Sequence, residues 1–181
     1  MKCVEFAWRV DTATFHPEKS SLFMEFQTDD PSAVDGKHFE FFEERANTDG
    51  TPWSQYGLTE AVGLLTVARD AAEPLRAKLN ENGGVVAECS ITSQFGEYVG
   101  FRGYSYFWDA PEAAVFRFLQ NDDQMTCMSY GQFYSVEFAA WLKDNYDTRG
   151  LRFIELDGDG RVAPRRILPR PKLPNSWPKA D

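Results

Sequence analysis

The chain has 181 residues, of which 43% are hydrophobic and 15% aromatic. That is enough apolar material to bury a sizeable core, and too much for global disorder. The formal net charge is −9, but its distribution is uneven. Residues 161–181 carry six basic residues and one acid, a balance of +5; positions 1–160 carry 13 basic and 27 acidic residues, a balance of −14. A body of that sign repels phosphate backbones and attracts cationic partners, so nucleic acid is not an expected ligand.

In chain order, Cys3–Val10 reads as a strand, with Val4, Phe6, Trp8 and Val10 alternating with polar or small residues. Ser21–Thr28 repeats the pattern and is broken by Asp29-Asp30-Pro31-Ser32. Lys37–Arg45 suits either strand or helix, and Asn47–Pro52 is a turn. A helix is expected from near Thr59, because Leu58, Ala61, Val62, Leu65, Ala68, Ala72, Leu75 and Leu79 recur at helical spacing. Pro74 should kink it or divide it into two abutting helices, and Asn82-Gly83-Gly84 should end it.

Val85–Thr92 and Glu97–Trp108 read as paired strands around Ser93–Gly96. Asp109-Ala110-Pro111-Glu112 has the form of a capping box opening a second helix, closed by Asn121-Asp122-Asp123. Gln124–Tyr130 reads as a strand, and Ser135 as the cap of a third helix with Phe138, Ala139, Trp141 and Leu142 inward. Leu151–Leu156 and Arg161–Leu168 read as a hairpin across Asp157-Gly158-Asp159-Gly160. The expected fold is therefore α+β: an antiparallel or mixed sheet packed by about three helices, with residues 1–163 as an acidic domain and 164–181 as a basic, Pro-rich tail.

Cys3, Cys89 and Cys127 are an odd number, widely spaced, with no C-x-x-C pair. A reducing, cytoplasmic setting is the expectation. The opening MKCVEFAWRVD is too short and too charged for a signal peptide, and no apolar run approaches the ~18–20 residues of a membrane span.

Chemical motifs are few. His38-Phe39-Glu40 matches the start of a zinc-deaminase signature, but no P-C-x-x-C follows. Asp157-Gly158-Asp159-Gly160 departs from a calcium loop, with Arg161 at the fifth position and Leu168 at the twelfth. There is no G-x-S-x-G elbow, no P-loop and no G-x-G-x-x-G. Neither a metal nor a cofactor is expected. Cys127 reads as a buried thiol, with a Cys127–His38 pairing as the alternative.

Arg102-Gly103-Tyr104-Ser105-Tyr106-Phe107-Trp108 is similar to the start of the RNP1 segment of the RNA-recognition motif, and the strand order around it resembles that family's βαββαβ order. The resemblance covers a few residues and implies an RNA-binding sheet. It departs at Ser105, Phe107 and Asp109, and the acidic body opposes RNA.

With catalytic motifs missing and the body acidic, the expected function is a protein-binding inhibitor: a bacterial immunity protein or antitoxin covering the functional surface of a basic toxin. The expected contact residues are the acids Asp29, Asp30, Glu40, Glu43, Glu44, Asp122 and Asp123, with Trp53 and Tyr56 as aromatic anchors. Two alternatives are a hydrolase-like enzyme without a short motif, and a phage or secretion-system structural or adaptor protein that docks through its basic tail.

Overall fold

The computed structural model describes residues 2–8, 14–17, 30–44, 57–61, 63–81, 84–105, 112–116, 132–149 and 151–157. In chain order the elements are β1 (Lys2–Trp8), β2 (Thr14–Pro17), β3 (His38–Glu44), β4 (Leu58–Ala61), β5 (Leu64–Ala68), α1 (Ala72–Asn80), β6 (Val86–Ser93), β7 (Gly96–Gly103), β8 (Val115–Phe116), β9 (Phe133–Ser135), α2 (Val136–Asn145) and β10 (Leu151–Asp157). They form an α+β architecture of two sheets. One has four strands in the order β10-β1-β9-β8, and all its pairs are antiparallel. The other has six, in the order β2-β3-β6-β7-β5-β4. It is mixed, because β3 runs parallel to β6 while its other pairs are antiparallel.

Several expected elements are present. β1, β6, β7 and β10 lie where strands are expected, the segment left open between strand and helix is strand β3, and β6 and β7 form a hairpin with Ser93 opposite Gly96. Ser135 caps α2, its side chain accepting a hydrogen bond from the Phe138 amide at 3.1 Å. Two α-helices lie among the described residues. The Ser21–Thr28 strand, the Gln124–Tyr130 strand and the tail from Pro164 lie outside them.

The long helix expected from Thr59 is instead the β4–β5 hairpin followed by α1. Gly63 explains the break. Its φ of 76° is a left-handed conformation that glycine adopts without a Cβ clash, and it turns the chain between Ala61 and Leu64. Pro74 then occupies the third position of α1, where its missing N–H would have had no intrahelical acceptor, so no kink results. The expected helix after Asp109 also differs. Val115 and Phe116 pair with Tyr134 and Phe133 as strand β8, and Asp109 itself lies outside the described residues.

One core fills the space between the sheets and the helices. Ala72, Leu75 and Leu79 of α1 pack with Leu65, Val67, Val99 and Phe101 of the six-stranded sheet and with Phe6, Tyr134 and Leu142. An aromatic spine runs through it. Phe153 meets Phe6 edge-on at 4.7 Å, and Phe6 stacks on Tyr134 at 4.0 Å. Tyr134 stacks on Phe138 at 5.7 Å, which stacks on Trp141 at 6.0 Å, and Trp141 meets Tyr146 at 5.9 Å. The Tyr146 hydroxyl then donates to the Ala71 carbonyl at 2.8 Å, tying the end of α2 to the start of α1. A second cluster on the opposite face of the six-stranded sheet holds Val34, Phe39, Phe41, Leu64, Cys89 and Ile91.

Gln132 makes the polar tie between the sheets. It is 4% exposed. Its Oε1 accepts from the Gly103 amide at 2.6 Å, while its Nε2 donates to the carbonyls of Gly63 and Phe101. Gly103 is bare where Val115 approaches; a Cβ there would lie 2.8 Å from a Val115 methyl. Gln132→Ala leaves a buried amide and a buried carbonyl without their partner, and should cost about 2–4 kcal/mol in urea unfolding. A loss within about 0.5 kcal/mol would remove Gln132 from this role.

Cys89 supplies a pH test of the second cluster. Burial pushes its thiol from 9.0 up to about 12. The folded state therefore keeps a proton that the unfolded chain releases, so this contribution to stability is intact below about pH 9 and declines as pH rises toward 12. Between about pH 8 and pH 10.5 the wild type should lose more unfolding free energy than Cys89→Ala, although the variant starts lower. Equal losses would contradict the burial.

Candidate functional site

Strand β3 builds the site through its two-residue alternation. Phe39, Phe41 and Glu43 face inward and are buried, whereas His38, Glu40 and Phe42 face outward and are exposed. The parallel register places His38 beside Ser90 and Glu40 beside Thr92 on β6, so these residues share one face. Phe42 is 54% exposed, an aromatic ring standing in an otherwise polar row. His16 of β2 is the register partner of Phe42.

Helix α1 covers the neighbouring part of this face and stops short of β3. Its nearest polar link is the Arg76–Glu88 pair, which is bidentate, with Nε–Oε2 at 2.6 Å and Nη2–Oε1 at 2.7 Å. Arg76 also pairs with Glu73, and these bonds hold its guanidinium firmly protonated. Arg69, just before α1, pairs with Glu97 of β7 at 2.5 Å. Among the described residues no cation meets Glu40.

Glu43 departs from its expected place on the surface. It is 3% exposed. Its Oε2 accepts hydrogen bonds from Ser93 Oγ and from the Tyr98 hydroxyl, both at 2.9 Å. Gln94 clamps the same residue through its backbone: its Nε2 donates to the Glu43 carbonyl at 2.6 Å, and its Oε1 accepts from the Glu43 amide at 3.1 Å. This carboxylate fastens the end of β3 to the β6–β7 hairpin.

The remaining expected contacts are distributed as follows. Asp30 is exposed and caps a short 3-10 turn at Pro31–Ala33, accepting from the Ser32 amide at 2.9 Å. Those bonds from Ser32 lower its carboxyl pKa. Glu44 ends β3 opposite Thr14. Asp29, Trp53, Tyr56, Asp122 and Asp123 lie outside the described residues, as do Cys127 and Trp108. Among the expected contacts whose side chains are described, Glu40 is the one on the open row. Phe42 and Thr92 were missed, although Phe42 is in phase with His38 and Glu40, and Glu43 with Phe39 and Phe41.

His38 Nδ1 lies 3.0 Å from Ser90 Oγ, which is also 3.3 Å from the Lys37 carbonyl. An activated serine needs a base oriented by a third group; no carboxylate contact to this imidazole occurs among the described residues. Nor is any group of three His, Cys, Asp or Glu placed to hold a metal ion among them. The described part of the segment similar to RNP1, residues 102–105, is interior: Arg102 is 2% exposed and lies over the buried Tyr104 ring at 5.7 Å. A base-stacking platform presents its rings to solvent. Among the described residues, no helix is long and apolar enough to cross a membrane.

Comparison with protein-family models and with curated proteins returned no match.

The two faces of β3 predict opposite mutational outcomes. Glu43→Ala leaves two hydroxyls without their buried acceptor and should cost about 2–4 kcal/mol by urea unfolding. Glu40→Ala should stay within about 0.5 kcal/mol. Equal costs at the two positions would contradict the alternation described here.

Proposed function

We propose that the chain is a protein-binding inhibitor, of the immunity-protein or antitoxin kind, that neutralises a basic partner by covering its functional surface. The observation that carries this reading is the open row on β3, where Phe42 stands 54% exposed beside the exposed Glu40. An exposed aromatic ring supplies contact area at small entropic cost, and the neighbouring carboxylate gives the contact a sign. The −14 balance over positions 1–160 adds long-range attraction for a cationic partner and speeds encounter. Glu73, Glu81, Glu88, Glu97 and Asp147 are paired with the chain's own cations. The open row is therefore the part of the β3–β6–β7 face whose charge remains for another molecule. Asp30, at its exposed cap, is a further contact of this reading, together with Glu44, Asp29, Trp53, Tyr56, Asp122 and Asp123.

The test is co-expression with the product of the adjoining reading frame, followed by size-exclusion chromatography and an assay of that product's toxicity. A one-to-one complex should form, toxicity should be blocked, and affinity should fall steeply between about 0.05 and 0.5 M salt. Persistence of full toxicity, or an affinity indifferent to salt, would contradict the proposal.

A further inference from the structure

We infer that the open row of β3 receives an arginine side chain of the bound partner, with Glu40 taking the guanidinium charge and the Phe42 ring taking its flat face. This rests on the inhibitor reading, because the arginine has to come from another molecule. On strands β3, β6 and β7, Glu40, Glu88 and Glu97 are the carboxylates with described side chains on this side of the sheet. Two of them already hold guanidinium groups from the chain itself. Arg76 grips Glu88 with two hydrogen bonds, and Arg69 meets Glu97. Both arginines are delivered by α1 and the turn preceding it. Glu40 occupies the next strand out, beyond the helix, and meets no cation among the described residues. The face thus carries its own precedent for what fills such a position.

The surroundings of Glu40 select arginine over lysine. Phe42 follows two residues along the same face, about 7 Å away at the backbone. A planar guanidinium can lie on the ring while its N–H fork engages the carboxylate. A compact, strongly hydrated ammonium gains less from that combination. Thr92, beside Glu40 in the register and exposed, adds a hydroxyl that accepts a remaining N–H. Covering the exposed ring also removes apolar surface from water.

The experiment is NMR shift mapping of the full chain titrated with a capped Gly-Arg-Gly peptide and, separately, with its Gly-Lys-Gly counterpart. The arginine peptide should shift the amides of His38–Phe42 and Ser90–Thr92 most. Glu40→Gln and Phe42→Ala should each weaken that response by roughly tenfold. Both variants should keep the wild-type unfolding midpoint, since both side chains are exposed. Shifts spread evenly over the acidic surface, or shifts insensitive to both variants, would overturn the site. An equal response to the lysine peptide would overturn the assignment to arginine. Either result alongside a stable inhibitory complex from the co-expression test would remove this site and leave the inhibitor reading standing.

Discussion

A nine-residue helix cannot cover a six-stranded sheet. At 1.5 Å per residue α1 is about 14 Å long, and the six-stranded sheet curls so far that its edge strands β2 and β4 approach each other. Its buried residues are spent on β5 and β7, where Leu75 and Leu79 meet Leu65, Val67, Val99 and Phe101. The four-stranded sheet and α2 join the same core from the other side. What α1 leaves over is β3 and the adjoining part of β6, and there the strand changes character. His38, Glu40 and Phe42 face outward on one side, while Phe39 and Phe41 are packed on the other.

An open row is useful as a contact surface only if it is rigid. The inward side of β3 provides that rigidity. Glu43 is held at its carboxylate by Ser93 and Tyr98 and at its backbone by Gln94, so the strand's end is fastened at four hydrogen bonds. The start of β3 is tied to β6 through the Ser90 amide on the Lys37 carbonyl and the Gly36 amide on the Glu88 carbonyl. Phe42 is therefore displayed on a fixed backbone, which lowers the ordering cost of binding. The Gln132 amide and the aromatic spine fix this sheet in turn against its neighbour.

Alternation made the strands legible in the sequence. It located β1, β6, β7 and β10 and left β3 open between strand and helix, and Ser135 marked the start of α2. The helix expected from Thr59 failed because leucines and alanines at helical spacing also suit a strand buried on both faces, as β5 is. Leu64, Leu65, Thr66 and Val67 are all buried, so no polar face reported the two-residue period. Gly63 and the β-branched Thr59, Val62, Thr66 and Val67 were the available contrary signals. Strands of two to four residues, such as β2, β8 and β9, are too short for any periodicity to register. For the site, counting acids grouped Glu43 with Glu40, whereas the phase of the strand separates them and puts Phe42 beside Glu40. Exposure of a single ring follows from where α1 ends, which only the tertiary arrangement decides.

The central claim is that the outward row of β3 is where another protein sits. Hydroxyl-radical footprinting of the chain, free and in complex with its partner, tests it most directly. Phe42 and His38 should react readily in the free chain and be protected in the complex, with Trp141 and Tyr146 of the α2 region unchanged. Undiminished oxidation of Phe42 in a saturated complex, with protection appearing at α2 instead, would contradict it.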